Sequence, residues 1–218
     1  VRIVCISDTH ERHDRIDLPD GDLLICAGDI TANGNVGSLT QFARWMQRQP
    51  HTHKILIAGN HDYCFERDGA SELRRCAPDV HYLQDSGVVI DGLRIWGSPW
   101  QPRFYDWAFN LDRGAQLAEK WALIPADTDI LITHGPPHGT LDLTPRGDRA
   151  GCEALAARLN DLRVRLHVFG HIHHSYGIVE SRERISVNAS ICDERYVAAH
   201  EPIVVDTELF QTEPSVPA

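Results

Sequence analysis

The sequence is short of positive charge. Lys and Arg total 21 against 31 Asp and Glu, for a formal net charge of -10. A protein that holds long DNA or RNA by neutralising phosphates needs a basic surface, so that class is excluded as an expectation. A small anionic substrate stays open if metal ions reverse the local field. No apolar run approaches the roughly 20 residues of a membrane span, so no membrane partner is expected. No leader is visible either, because the chain enters an apolar strand at once. None of the six cysteines (Cys5, Cys26, Cys64, Cys76, Cys152, Cys192) forms a C-x-x-C pair. Cys5 and Cys26 sit inside apolar runs, where a thiol acts as a small hydrophobe, and reduced thiols in a cytoplasmic protein are expected. There is no internal repeat and no low-complexity block.

What is present is a chain of 218 residues, 42% hydrophobic and 24% charged, long enough for a single domain over residues 1–210. Residues 211–218 are polar with two prolines and read as a tail. Strands are expected at Val1 to Ile6, Asp22 to Ala27, Lys54 to Ala58, Val80 to Leu83, Asp129 to Thr133 and Arg165 to Phe169. Val88-Val89-Ile90, Asp91-Gly92 and Leu93-Arg94-Ile95-Trp96 read as a hairpin with a type I′ turn. Gly177 to Glu180, Ile185 to Asn188 and Ile203 to Asp206 read as antiparallel strands. Helices are expected from a Ser38 cap through Gln49, over Glu72 to Cys76, Gly114 to Leu123 and Cys152 to Leu162. The stretch from Gly97 to Phe109 is an aromatic, proline-broken loop, either a packed lid or a substrate wall. Strand and helix alternate in the first half and hairpins enter in the second, which implies two packed sheets covered by helices.

Five of the apolar runs end in the same way. Val4-Cys5-Ile6 leads to Asp8-Thr9-His10, and Leu24-Ile25-Cys26-Ala27 to Gly28-Asp29. Ile55-Leu56-Ile57 leads to Gly59-Asn60-His61-Asp62, Ile130-Leu131-Ile132 to His134-Gly135, and His167-Val168-Phe169 to Gly170-His171-Ile172-His173. Active sites of α/β folds gather at strand ends, so five such ends point to one site. Residues i and i+2 of an extended segment face the same way, so Asp8 with His10, and His171 with His173, can reach one ion. Asp29 and Asn60 add oxygen donors and His134 a nitrogen. Mixed imidazole and carboxylate donors suit Zn, Fe or Mn. The set exceeds one tetrahedral ion, which implies two ions sharing a carboxylate, and such a pair favours phosphate-ester hydrolysis. Singly, each motif has a duller reading as a turn or a surface pair; their order and shared position make the combination specific. His13, His51, His53, His81, His167 and His200 are expected to be solvated or locally bonded, and His138 and His174 to be surface neighbours of the ligands.

These blocks, in this order, resemble the signature motifs of the calcineurin-like metallophosphoesterases. Gly97-Ser98-Pro99-Trp100-Gln101-Pro102, Trp107-Ala108-Phe109-Asn110 and His134-Gly135-Pro136-Pro137 are similar to the branch of the brain and fetal-brain metallophosphoesterase-domain proteins and their bacterial relatives. The resemblance implies a four-layer αββα sandwich of two mixed β-sheets flanked by helices. It implies two divalent or mixed-valence ions, Mn, Fe or Zn. Asp8, His10, Asp29 and His173 would hold the first, and Asp29, Asn60, His134 and His171 the second. His61 would act at the leaving oxygen, with Asp62 orienting it. Some vertebrate members carry Gly where His171 stands, so a complete site is expected here; His174 stands where an acidic residue is usual. The implied activity is hydrolysis of small phosphodiesters, cyclic nucleotides included, by a metal-bridging hydroxide. The Trp100 to Trp107 loop would wall the site and stack on a base or aryl group. The alternatives are a phosphomonoesterase of nucleotides or phosphoproteins, and a non-catalytic scaffold like the retromer subunit of this fold. The expected partner is a small phosphate ester, with nucleotides among the candidates; oligomeric state stays open.

Overall fold

In the first strand, β1 (Arg2–Ile6), Ile3 and Cys5 alternate with Val4 and Ile6, and all four are fully buried. A strand apolar on both faces must lie between two other layers. In the computed structural model, which describes residues 1–211, it does. The chain continues through β2 (Leu23–Cys26), α1 (Val36–Gln47), β3 (His53–Leu56), α2 (Gly69–Cys76), β4 (Val80–Tyr82), β5 (Ser86–Ile90) and β6 (Leu93–Ser98). Then come β7 (Gln101–Pro102), β8 (Asn110–Leu111), α3 (Ala115–Ala122), β9 (Ile130–Thr133) and α4 (Glu153–Asn160). The last elements are β10 (Leu166–Phe169), β11 (Gly177–Glu180), β12 (Ile185–Asn188), β13 (Ile203–Asp206) and a 3-10 turn, Thr207–Gln211. The remainder of the expected tail lies outside the described residues.

Among the described residues two large sheets form, in the orders β13-β1-β2-β3-β4 and β11-β12-β10-β9-β6-β5, beside the two-stranded β7-β8. Four strands of each run parallel, β1-β2-β3-β4 out to one edge of the first and the inner β12-β10-β9-β6 of the second. Ile3, Cys5, Leu23, Ile25 and Ile55 of the first sheet pack against Ile95, Ile130, Ile132, Leu166, Val168 and Val187 of the second. The opposite face of the first sheet, with Val4, Ile6, Leu24 and Cys26, is covered by Leu39, Phe42 and Met46 of α1 and Leu73 of α2. On the far side Leu131 packs under Leu117 and Trp121 of α3 and Leu155 and Leu159 of α4. Three apolar interfaces thus separate four layers, helices-sheet-sheet-helices, the expected αββα sandwich.

Register aligns the strand ends. Cys5 pairs with Ile25 and Ile25 with Ile55 in one sheet, while Val168 pairs with both Ile132 and Val187 in the other. A bridge between Ser7 and Ser190 ties the two sheets at this end. The loops carrying the candidate ligands therefore emerge side by side.

Several local expectations need correction. Helix α1 starts at Val36, because the Asn35 side chain accepts hydrogen bonds from the Gly37 and Ser38 amides; Ser38 lies in the first turn. It ends at Gln47, two residues short of the expected end. Helix α2 begins at Gly69, earlier than Glu72. The final strands are not one antiparallel set: β12 is antiparallel to β11 but parallel to β10, and β13 joins the first sheet antiparallel to β1. The hairpin forms as expected, with Asp91 and Gly92 both at positive φ in its turn. The long aromatic loop is braced by the short parallel pair β7-β8.

Candidate metal centre

Each ligand-bearing loop turns sharply as it leaves its strand. Asp8, His10, Asp29 and His171 have φ of 52°, 40°, 53° and 69°. Left-handed backbone is uncommon outside glycine, even for Asp and His, and four instances in one cluster mark a site shaped by the surrounding structure. Two glycines make the crowding possible. A Cβ on Gly170 would meet Asp8 Oδ2 at 1.9 Å, and one on Gly59 would meet Asp29 Oδ1 at 2.3 Å.

Four imidazoles share one orientation. The Nδ1 atoms of His10, His61, His134 and His173 bond the backbone carbonyls of Thr31, Ala32, Ala27 and Asp193 at 3.3, 2.7, 2.9 and 2.9 Å. A carbonyl can only accept, so Nδ1 carries the proton and each Nε2 faces the site, the usual arrangement of a metal-ligating histidine. The Nε2 atoms converge on two buried carboxylates. His173 Nε2 lies 3.2 Å and His10 Nε2 4.0 Å from Asp8 Oδ1. Asp29 Oδ2 lies 3.8 Å from His10 Nε2, 3.4 Å from His134 Nε2 and 4.0 Å from His61 Nε2. Asn60 Oδ1 lies 2.9 Å from His134 Nε2. Asp8, His10 and His173 form one group of donor atoms within 4.8 Å, and Asp29, His134 and His171 another. A third group joins His10, Asp29 and His61, so Asp29 belongs to two of the three. This donor set of imidazole, carboxylate and amide oxygen fits two borderline-to-hard divalent ions, and all seven expected ligands are brought together.

Without a cation, protons hold the cluster. Burial by itself would raise the Asp8 carboxyl, but its His173 partner keeps it well below the usual carboxylate range. Burial likewise acts to raise Asp29, and His134 holds it far below. Burial opposes charge on His134 and His173, yet Asp29 and Asp8 respectively raise them to about 9. Burial pushes His10 down to about 4, and burial together with the His134 charge takes His171 to about 3. Two imidazolium-carboxylate pairs therefore stand where ligand-metal bonds would form.

Asp62 makes no hydrogen bond to the His61 ring, in contrast to the orienting role the resemblance implied. Its carboxylate accepts hydrogen bonds from Gly59 N and Thr31 N at 2.9 Å, Thr31 Oγ1 at 2.8 Å and Ile30 N at 3.3 Å. It ties the loop after β3 to the loop after β2, and Ala32 of that second loop supplies the carbonyl that orients His61. Trp100 does not wall the site either. It packs between two apolar clusters, donates Nε1–H to Asp85 Oδ2 at 2.8 Å and lies 4.3 Å under the Lys120 ammonium. From the same loop Trp107 packs on His61, ring centroids 3.9 Å apart and planes tilted by 40°, and Phe104 and Tyr105 reach the cleft.

Three residues escaped the sequence reading. Ser190 donates Oγ–H toward Asp8 Oδ2 at 2.9 Å, and Asp193 supplies the His173 acceptor. Tyr196, at φ 59°, sets its ring 4.7 Å from His10 and 5.5 Å from His173. All follow β12, a sixth apolar strand end that carries no acid or imidazole at the usual position. His167 is not solvated but fully buried, bonded through Nε2 to Thr133 Oγ1 at 2.8 Å beneath the His134 turn. His138 is exposed, and His174, also exposed, bonds Glu194 Oε1 at 2.9 Å on the rim. All six cysteines are free thiols, and no helix among the described residues is long and apolar enough to cross a membrane.

The cleft over this cluster has a volume of about 470 Å³. Its walls are the Phe104-Tyr105 tip, an arm from Thr144 to Ala150 that includes Arg146, and Glu194 with Tyr196. The arm is anchored on buried Asp142, which accepts from Gly139 N, Gly151 N and the Arg149 guanidinium.

A family model described as calcineurin-like phosphoesterase matches residues 1–175. The chain is 44% identical to metallophosphoesterase domain-containing protein 1 of Homo sapiens, over 94% of this chain and 70% of that one. It is 38% identical to a UPF0046 protein of Caenorhabditis elegans, over 94% of this chain and 74% of the relative. One solved crystal structure superposes with a TM-score of 0.68 at 18% identity, covering 86% of this chain and 89% of its own, a likeness of fold.

Proposed function

This chain belongs to the calcineurin-like phosphoesterase family, a metal-dependent phosphoesterase by descent and by its His/Asp cluster, and we propose that it is a two-metal phosphodiesterase of small diesters, cyclic nucleotides among them. The observation that carries the two-metal reading is Asp29. One oxygen of its buried carboxylate lies within 4.0 Å of the Nε2 atoms of His10, His134 and His61, which supports a role shared between two ions. Asp8, His10, Asp29 and His173 would hold one ion, and Asp29, Asn60, His134 and His171 the other. Ions so held would lower the pKa of a water and neutralise the phosphate oxygens.

The chain's own groups do the rest. The carbonyl of Ala32 fixes the Nδ1 proton of His61, so Nε2 is the ring atom that faces the cleft and exchanges a proton there. In diester hydrolysis a water oxygen bonds to phosphorus and gives up a proton, the bond to the leaving oxygen breaks, that oxygen takes a proton from His61, and the proton from the water restores His61. Asp62 and Trp107 act by position: one ties together the loops that carry His61 and its acceptor, the other packs on the ring. Thr9, between two candidate ligands, is fully buried and offers no exposed nucleophile, which favours direct attack by water over a covalent intermediate.

A diester needs space for substituents on both sides of the phosphorus, and the cleft extends past the ligands to aromatic and polar walls. Arg146 favours a second reading, since a guanidinium on the wall suits the dianion of a monoester. Chromatography of Mn-loaded protein with cyclic AMP and with AMP separates the two. Conversion of cyclic AMP to AMP, with AMP itself untouched, is expected; adenosine formed from AMP moves the assignment to a phosphomonoesterase.

A further inference from the structure

The Phe104-Tyr105 tip is exposed and aromatic, yet it is held firmly. Tyr105 is 75% and Phe104 47% exposed, so neither ring earns its place by burial. Scattered exposed aromatics are ordinary; this pair differs in how it is fixed. Tyr105 adopts φ 49°, a conformation unfavourable for a bulky side chain. Asn110 imposes it. Its Nδ2 donates to the carbonyls of Phe104 and Tyr105 at 3.2 and 2.9 Å, and its Oδ1 accepts from Phe104 N at 3.2 Å and Gln101 Nε2 at 3.3 Å. Gln101 is fully buried, and the β7-β8 pair it belongs to adds Gln101 N to Phe109 O and Arg103 N to Leu111 O. The tip therefore stands on a braced base.

Its rings face the centre. Phe104 lies edge-on to His171, centroids 5.7 Å apart, and Tyr105 lies 4.6 Å from Phe104 with the planes at 67°, so a planar ligand can stack on one ring and meet the edge of the other. Both line the cleft above the cluster. A strained, hydrogen-bonded loop thus holds two rings largely in water beside a candidate metal ligand. It has the form of a platform made before its ligand arrives, which limits the ordering cost of binding.

We propose that Phe104 and Tyr105 are specificity-determining residues, forming a platform on which a planar ring in the ester's non-reacting substituent stacks while the phosphate lies on the Asp8–His173 cluster. This rests on the phosphoesterase reading of that cluster but not on the preference for diesters. Stacking on an aromatic side chain tolerates any base, because every base has a π face. The platform thus selects aromatic from purely aliphatic esters without choosing among purines and pyrimidines.

The test compares AMP with ribose 5-phosphate, which share sugar and phosphate and differ by the ring. Each is titrated calorimetrically into the Mn-loaded protein. The wild type should bind AMP about tenfold more tightly. Tyr105→Ala should remove most of that preference and leave ribose 5-phosphate binding unchanged, and Tyr105→Phe should restore it. Equal binding of the two ligands by the wild type, or no binding of either, overturns the proposal. So does an AMP preference that survives in the Phe104→Ala/Tyr105→Ala double variant. Bis-p-nitrophenyl phosphate hydrolysis measured on the same samples reports separately on the diesterase reading. A protein inert to that diester that still prefers AMP through Tyr105 keeps the platform and loses the diesterase.

Discussion

The Nε2 atoms of His10 and His173 lie 3.3 Å apart, although 163 residues separate them in the chain. Each ring has already committed its Nδ1 proton to a backbone carbonyl, of Thr31 and of Asp193. Two lone pairs would therefore face each other across that gap, which is stable only with a cation or a proton between them. In the metal-free protein the proton resides on His173, whose partner Asp8 raises it to about 9. The same logic holds at His134 and Asp29, so the cluster is built around positive charge at two points.

Metal uptake should therefore release protons. His134 and His173 are raised from the ordinary imidazole range to about 9, so both are protonated at neutral pH. Each must lose its proton before Nε2 can ligate. The sign follows: apparent metal affinity rises with pH and levels off above about 9. For the metal-free fold the two ion pairs contribute fully below the unfolded imidazole pKa and are lost as pH rises through about 9. Calorimetry near neutral pH in two buffers of different ionisation enthalpy should report about two protons released as both ions bind. No proton release would contradict the pairing.

Gly170→Ala should abolish a complete centre. The new methyl would sit 1.9 Å from Asp8 Oδ2, so the carboxylate must leave its place beside His173. Metal analysis after loading should fall from about two ions per chain to at most about one. Full occupancy would show that the loop yields.

Asp62→Asn should weaken the fold more than its size suggests. Three backbone amides and the Thr31 hydroxyl donate to that carboxylate, and an amide side chain would turn an NH₂ toward some of them. A loss of about 3 kcal/mol is expected, read by denaturant unfolding. Turnover should fall as well, with metal content unchanged, because the His61 loop loses its tie. An unaltered unfolding midpoint would argue against this role.

Trp100→Ala should destabilise by about 3 kcal/mol, since the indole packs between two apolar clusters and anchors on Asp85. It should leave the preference for AMP over ribose 5-phosphate intact. A lost preference would return Trp100 to the substrate wall.

The layered fold and the residues of the candidate cluster were legible because both are written locally. An apolar strand buried on two faces shows as an unbroken run, and the turn that follows shows as Gly with acids and imidazoles. What was not legible is non-local. Val204 and Val205 of β13 do not reveal which sheet they join, because that depends on where the chain returns after β12. Ser38 looked like a cap because Asn35 sits in an Asn- and Gly-rich stretch where any of several residues could begin a helix. Asp62 follows His61, but consecutive side chains diverge, and its partners are Ile30 and Thr31 across the loop. Tyr196 and Ser190 approach Asp8 and His10 only through folding, and neither residue type signals a metal site on its own.

The most direct test of the account is hydrolysis of bis-p-nitrophenyl phosphate against p-nitrophenyl phosphate by protein stripped with chelator and then given Mn. Cleavage of the diester that vanishes on chelation and returns with Mn is expected. So are loss in Asn60→Ala, which removes an expected ligand, and a fall of at least about a hundredfold in His61→Ala, which keeps its metals. Preferred cleavage of the monoester, or no cleavage of either ester by fully loaded protein, would contradict it.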